Sequence, residues 1–203
     1  MYALPLSEHE VDPDPLVQFR AWFDAAAAAG IRVPEAMALA TARPDGSPSV
    51  RMVLLKDAGP RGFAFYTNLL SRKGRELEAN PRAALLFHWD ALGRQVRVEG
   101  TVERLPEDEG AAYFATRPRG SQLAAWASSQ SEPLAGREAL EHAVGRLTER
   151  FAGADVPLPP HWGGYVLAPA RYEFWQHRDD RLHDRVAYEH DGARGWRRTR
   201  LAP

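Results

Sequence analysis

The chain contains no cysteine in its 203 residues, which excludes disulfides, zinc–thiolate centres and thiol nucleophiles and fits the reducing cytoplasm. Net charge is also nearly absent: 26 basic against 27 acidic side chains leave −1, so no global field draws the protein to nucleic acid, a membrane surface or another polyanion. Any anion site must be local. No stretch approaches the roughly 18 apolar residues of a transmembrane helix, so a soluble protein is expected. Met1 to Pro15 carry Glu8, Glu10, Asp12 and Asp14 in place of a basic region followed by an apolar one, and do not read as a secretory leader. There is no P-loop, nucleophile elbow or dinucleotide fingerprint. His177, His183 and Asp184 have no established ligand spacing, so no metal is expected.

The residues that are present fall into two textures. Asp14 caps and Pro15 opens a helix whose Leu16, Phe19, Phe23 and Ala26 share one face before Gly30 ends it. From Ala36 the period changes: an apolar run to Thr41, a turn at Arg43-Pro44-Asp45-Gly46 and a β-branched run from Val50 to Lys56 read as a hairpin. Phe63 to Thr67, Ala83 to His88 and Gln95 to Glu103 follow as strands, the last with Val96, Val98 and Val102 on one side. One short helix from Ser71 to about Asn80 interrupts them. Pro106 then opens a helix towards Thr116, and Leu140, Val144, Leu147 and Phe151 form a stripe on another. Strands return around Tyr165, Phe174, Tyr188 and Trp196. Hairpin-joined strands with grouped helices predict an α+β fold, a mostly antiparallel barrel with packed helices. A single domain over residues 1–203 is expected, with a short N-terminal extension to about residue 14. Pro157 to Pro160 is the clearest irregular connection, but the strands after it are too few to close a core alone.

Three constellations carry potential chemistry. Ser71-Arg72-Lys73 opens a helix just after a strand, where free N–H groups, the helix dipole and two cations favour a phosphate; an ordinary Ser N-cap with solvated basic residues satisfies the same pattern. Arg51 and Lys56 bracket a nearby strand, and five residues apart they face opposite sides unless the strand bulges or ends between them. Tyr113 and Arg117 lie four apart on one helical face, and Pro118 and Gly120 turn the chain so that Ser121 approaches the same point. Three donors would converge there, although a snorkelling Arg beside a core Tyr has the same spacing. The run from Glu173 to Arg185 crowds titratable groups around two aromatics, as either a site or the charged tip of a hairpin.

These segments resemble the pyridoxine/pyridoxamine 5'-phosphate oxidase family. The resemblance rests on Arg51-Met-Val-Leu-Leu-Lys56, Phe65-Tyr-Thr-Asn68, Arg94-Gln-Val-Arg-Val-Glu-Gly100, Tyr113-Phe114, Arg117-Pro-Arg-Gly-Ser-Gln122, Gln130-Ser131, Trp162-Gly-Gly164, Glu173-Phe-Trp-Gln176, Arg181-Leu-His-Asp-Arg185 and Arg200-Leu-Ala-Pro203. The ordered set spans nearly the whole chain after about residue 36. It implies an FMN-binding split β-barrel working as a homodimer, with FMN sites at the subunit interface. FMN is expected against Arg51, Met52, Val53, Leu54, Leu55, Lys56, Tyr66, Thr67, Arg72, Lys73, Gln95, Gln130, Ser131, Trp175 and Arg185. The substrate phosphate is expected against Lys56, Tyr113, Arg117 and Ser121, with Arg181, Leu182 and His183 at the pyridine ring.

The implied reaction oxidises pyridoxamine or pyridoxine 5'-phosphate to pyridoxal 5'-phosphate and reduces dioxygen to hydrogen peroxide. Arg181 is expected to position and polarise the substrate, and His183 to hydrogen-bond it or handle a proton. Three features depart from the family's pattern. His177 stands where glycine usually follows Trp-Gln, Val33 in place of an acidic residue precedes Pro34, and the N-terminal segment is short and lacks a basic run. A flavin oxidase of a reduced aromatic intermediate, as in phenazine biosynthesis, and a non-catalytic flavin- or pyridoxal-phosphate-binding protein are the alternatives. Retention of Lys56, Tyr113, Arg117 and Ser121 disfavours the first, and retention of Arg181 and His183 the second.

Overall fold

Asp14 caps the start of the first helix as its sequence suggests: its carboxylate accepts from the Leu16 N–H at 2.8 Å, and Pro15 fills the first position of α1 (Pro15–Ala28), where a missing N–H costs nothing. In the computed structural model, which describes residues 5–192 and 195–203, the buried face of α1 is Pro15, Phe19, Trp22 and Ala26. The expected stripe is therefore rotated: Trp22 takes the centre, while Leu16 and Phe23 are only half-buried.

Ala36–Ala42 (β1) and Pro48–Leu54 (β2) form the expected hairpin, followed by the short Asp57–Gly59 (β3) and by Gly62–Asn68 (β4). Then come α2 (Arg72–Ala79), β5 (Arg82–Trp89), β6 (Arg94–Arg104), α3 (Glu107–Ala115), α4 (Arg119–Ala127) and α5 (Arg137–Arg150). The chain ends with β7 (Trp162–Gln176), β8 (Asp184–His190) and β9 (Trp196–Arg200). All pairings are antiparallel, in the order β2-β1-β5-β6-β7-β4-β3, with β8 and β9 extending from β7. The two ends of that order are consecutive in the chain. Only Leu55 and Lys56 separate β2 from β3, and the Lys56 N–H donates to Ala64 O of β4 at 2.8 Å, so the sheet curls into a split barrel.

Strand alternation fills the barrel. Met37, Leu39, Phe63, Phe65, Leu85, Phe87, Val96, Val98, Leu167 and Phe174 are fully buried, and α1 plugs one side with Phe19 edge-on to Phe63 at 4.8 Å. Burial of each large side chain contributes about 1.5–3 kcal/mol. A second, smaller cluster of Phe114, Leu123, Phe151, Val156 and Trp162 holds α3, α4 and α5 against the start of β7. The stripe expected on α5 is only partly buried at Leu140, Val144 and Leu147. Among the described residues, no helix is long and apolar enough to cross a membrane.

Glycine matters where strands must touch. Gly62 has φ +121°, and a Cβ there would sit 1.9 Å from Leu167 O on β7; Gly46, in the β1–β2 turn at φ +84°, has open space around it. Gly62→Ala is therefore expected to combine backbone strain with a clash and cost about 3 kcal/mol or more, whereas Gly46→Ala should cost about 1 kcal/mol. Urea unfolding of both variants checks this; equal losses would mean that strand contact at Gly62 can relax.

Candidate active site

Where β2 ends beside β4, the barrel wall and the α3–α4 layer enclose a cavity of about 820 Å³, in the range of small-molecule sites. Its wall includes Arg51, Met52, Val53, Leu54 and Lys56 from β2 and its exit, Tyr66 and Thr67 from β4, Lys73 from α2, and Tyr113, Arg117, Ser121 and Gln130. Arg51 and Lys56 reach the same space because β2 stops at Leu54, which resolves the opposite-face conflict. No acidic side chain lines the cavity among the described residues.

One pole is built around α2. Ser71 caps it, accepting from the Gly74 N–H at 3.3 Å, and Lys73 is drawn inside at 8% exposure. The ammonium donates to Gln130 Oε1 at 2.6 Å, Thr67 Oγ1 at 3.1 Å and Ser71 Oγ at 3.4 Å. None of these partners carries charge, and no carboxylate lies within ion-pair distance among the described residues. Burial first, and the nearby Arg51 charge second, pull Lys73 down to about 8. Arg72 turns the other way: its Nε donates to Glu76 Oε1 at 2.8 Å, and it does not line the cavity. Glu76, 4% exposed, also accepts from Thr41, Ser49 and Arg51. Burial would raise its carboxyl, but these hydrogen bonds outweigh burial and hold it at about 2.

The other pole is aromatic. Tyr66, Tyr113 and Trp162 lie nearly parallel, with Tyr66 4.2 Å from Tyr113 and 5.4 Å from Trp162. The Arg117 guanidinium lies 5.0 Å from the Trp162 ring and 5.6 Å from Phe114, and Lys56 Nζ sits 5.9 Å from Tyr113. Among the described residues, Arg117 Nη1 is buried without a hydrogen-bond partner, and burial lowers the guanidinium below its ordinary value. Tyr113 and Arg117 do not share a helix: α3 ends at Ala115, and a turn in which the Arg117 N–H donates to Phe114 O brings them together. Ser121 is likewise placed by the first turn of α4 rather than by a loop.

A second cluster lies at the far end of β7. Gln95 pairs with Trp175, and Trp175 with Arg185. The His183 ring lies 4.5 Å from Trp175 and 5.2 Å from His177, and His183 Nδ1 accepts from the Arg178 N–H at 3.1 Å. In its neutral form His183 therefore carries its proton on Nε2. Asp180 and Arg181 adopt left-handed backbone at φ 54° and 62°, an arrangement that non-glycine residues hold at a cost and that recurs at functional sites. Arg185 Nε donates to Glu173 Oε1 at 2.9 Å, which raises its affinity for its proton. Leu182 is exposed. His177 fits because Gly93 faces it: a Cβ at Gly93 would lie 2.8 Å from His177 Cβ.

The expected residues thus divide. Gln95, Trp175, Arg181, Leu182, His183 and Arg185 form a cluster apart from the cavity, Leu55 packs into the barrel core, and Ser131, at φ 75°, is exposed beside Gln130. Two contributors were not singled out in the sequence. Trp162 was visible only as part of a motif, and Glu76 had only its i,i+4 spacing from Arg72 as a signal.

A curled antiparallel barrel with a cation-lined cavity places the protein among split-barrel flavin proteins. Residues 23–151 match the family described as pyridoxamine 5'-phosphate oxidase, and residues 162–203 its pyridoxine 5'-phosphate oxidase C-terminal dimerisation region. The chain is 61% identical over 198 residues to a pyridoxine/pyridoxamine 5'-phosphate oxidase of Rubrobacter xylanophilus, covering 98% of this chain and 91% of that one. PhzG from Burkholderia lata, solved with tetrahydrophenazine-1-carboxylic acid, superposes with TM-score 0.93 at 36% identity, covering 99% and 98% of the two chains. An FMN-binding protein from Nostoc punctiforme shares the fold at TM-score 0.74 and 16% identity, over 91% and 97% of the two chains. The chain belongs to the pyridoxine/pyridoxamine 5'-phosphate oxidase family, a family of oxidoreductases.

A half-buried guanidinium with one buried, unsatisfied donor, as Arg117 has among the described residues, destabilises the fold that holds it. Arg117→Met is therefore expected to leave the thermal midpoint of the protein unchanged or raise it by about 2–4 °C, equivalent to roughly 1 kcal/mol. Calorimetry without added ligand checks this; a fall of several degrees would make Arg117 a structural residue.

Proposed function

We propose that the protein oxidises pyridoxamine 5'-phosphate or pyridoxine 5'-phosphate to pyridoxal 5'-phosphate, with FMN as cofactor and dioxygen reduced to hydrogen peroxide. The observation that carries this reading is one cavity with no acidic lining among the described residues and two cationic poles: Lys73 is buried with only neutral partners, and half-buried Arg117 has a buried Nη1 with no hydrogen-bond partner there. FMN and the substrate each end in one phosphate, which is dianionic above about pH 6. The pole at Lys73, Arg51, Thr67 and Gln130 fits the cofactor phosphate, and that at Lys56, Tyr113, Arg117 and Ser121 the substrate phosphate. When bound, FMN supplies the redox chemistry, accepting a hydride equivalent from the substrate carbon and passing the electrons to dioxygen.

The protein's own groups bind and orient. Arg117 offers its unpartnered Nη1 to a phosphate oxygen, and the flat Tyr66–Tyr113–Trp162 wall excludes water beside it. His183, whose Nδ1 accepts from the Arg178 N–H, presents Nε2–H as a donor, while Arg181 supplies a planar cation at the substrate ring. These two lie at the opposite end of β7 from Trp162. At about 3.3 Å per residue, the stretch from Trp162 to Trp175 runs to roughly 40 Å, too far for one small substrate to touch both ends.

A homodimer supplies the second cluster from the partner subunit. Met52 and Leu54 support this arrangement, since they are 64% and 40% exposed yet border the cavity. One sheet draws strands from both matched segments, which supports a single domain over residues 1–203. The PhzG likeness favours a second reading, oxidation of a reduced tricyclic aromatic acid. An aerobic assay that follows aldehyde and peroxide with each phosphorylated vitamer, and with a reduced phenazine acid, separates the two. Turnover of the phenazine acid alone would overturn the first reading.

Arg117→Ala is expected to raise KM for the phosphorylated substrate about tenfold to a hundredfold, the worth of a charge-assisted hydrogen bond, while flavin content stays at the wild-type level. Steady-state kinetics beside flavin absorbance check this; loss of flavin with an unchanged KM would exchange the two poles. FMN affinity should also depend on pH through Lys73. A bound phosphate raises the Lys73 value above the 8 or so of the free site, so binding takes up a proton above that pH. Affinity should be level between about pH 6 and 8 and then fall by up to tenfold per pH unit. Fluorescence titration across pH checks the slope, which Lys73→Arg should abolish.

A further inference from the structure

We propose that Glu76 is a positioning residue for the cofactor-phosphate pole: its buried carboxylate holds Arg51 at the cavity wall and Arg72 beside it, so that a phosphate meets an assembled cationic site. This deepens the FMN reading and rests on it. Glu76 projects from α2 onto the inner face of the β1–β2 hairpin, where Thr41 and Ser49 stand directly opposite each other and Leu39 faces Arg51. One oxygen, Oε2, accepts from Thr41 Oγ1 at 2.5 Å, Ser49 Oγ at 2.6 Å and Arg51 Nη2 at 3.1 Å. The other, Oε1, accepts from Arg72 Nε at 2.8 Å and lies 4.0 Å from Arg43 Nε. The hydroxyls do more than neutralise the acid. Thr41 Oγ1 also accepts from Arg51 Nη1 at 2.6 Å, Ser49 Oγ from Arg51 Nη2, and Leu39 O from Nη1 at 3.1 Å. Every terminal nitrogen of Arg51 is therefore committed to a group that Glu76 orders or that the hairpin fixes.

The alternative is that Glu76 only subtracts charge from the pole, and the two effects have opposite signs. Three arginines converge on this one carboxylate, and next to them Lys73 has only neutral partners. Without Glu76 the guanidinium groups repel one another. Arg43 and Arg72 are about half exposed and free to swing into water, and Arg51, at 20% side-chain exposure, has the hairpin edge beside it. A phosphate would then have to gather mobile cations as it binds, and preorganisation is lost. The net positive charge of the pole would rise by one, which by itself would strengthen anion binding.

Riboflavin, which has the flavin ring but no phosphate, separates these contributions from general damage. The test is fluorescence titration of FMN and riboflavin into the flavin-stripped wild-type protein, Glu76→Gln and Ser49→Ala. Glu76→Gln is expected to weaken FMN about tenfold while riboflavin changes less than about twofold. Ser49→Ala, which removes one donor to Glu76 without changing charge, should shift the ratio the same way by about threefold and gives the answer if Glu76→Gln fails to fold. Equal weakening of both flavins would make Glu76 a purely structural residue, and tighter FMN binding would make it a charge-subtracting one; either result overturns the proposal. A wild-type protein that does not prefer FMN to riboflavin would instead remove the phosphate pole itself, and that failure is visible before any variant is compared.

Discussion

Strand β7 is the constraint on which the architecture depends. It pairs with β6 along nearly its whole length, while its other edge is shared between β4 over Trp162–Leu167 and β8 over Arg171–Gln176. One strand therefore closes the barrel and carries the C-terminal ribbon. Its register is doubly specified: a slip of one residue would turn Tyr172 and Phe174 out of the barrel core and carry Glu173, already buried on the other face with Arg97 and Arg185, away from those arginines and into it. The bulge between Glu99 and Gly100 lets β6 follow the bend, and only glycine fits there, since a Cβ at Gly100 would lie 2.0 Å from Ala168 O. Function inherits this geometry. Trp162 walls the cavity at one end of β7, and Trp175 orders the second cluster at the other.

The cavity keeps groups that the fold alone would discard. Lys73 is buried among neutral acceptors, and Arg117 has a buried nitrogen with no acceptor. Removing a cation from water is repaid only by a counter-charge and well-made hydrogen bonds. Glu76 provides both for its arginines, whereas Lys73 has only neutral partners and Arg117 Nη1 none among the described residues, which is what the proposed anion at each pole would supply. Stability is sacrificed at two places that face one space.

The barrel was legible in the sequence because alternation and turn chemistry are local signals. The hairpin around Arg43-Pro44-Asp45-Gly46, the strand with Val96, Val98 and Val102, and the Ser71 cap all appear where those signals put them. Relations between distant segments were not legible. Helical spacing put Tyr113 and Arg117 on one face, yet α3 stops at Ala115 and the pair meets through a turn. Arg72, which the sequence placed beside Lys73 at a phosphate site, is turned by α2 towards Glu76, whose other hydrogen-bond partners Thr41, Ser49 and Arg51 sit 25 to 35 positions earlier in the chain. His177 looked too large for its place, and the room for it comes from Gly93 across the β6–β7 ladder. The three residues of β3 are too short to carry a period, although they pair with β4 and form one end of the strand order.

The two cationic poles also differ in kind. Lys73 is a compact ammonium whose proton affinity burial has already lowered to about 8, so whatever occupies that pole is coupled to pH in the alkaline range. Arg117 lies against Trp162 and Phe114, and a guanidinium keeps its charge at any physiological pH even when burial disfavours it. Its planar face suits the aromatic wall, and its edge presents donors in a fixed fork. On the proposed assignment, an exchanging substrate would benefit from the second design, because its recognition would not depend on a titrating group. On the same assignment, a long-resident cofactor would tolerate the first, because its phosphate would supply the charge that keeps Lys73 protonated.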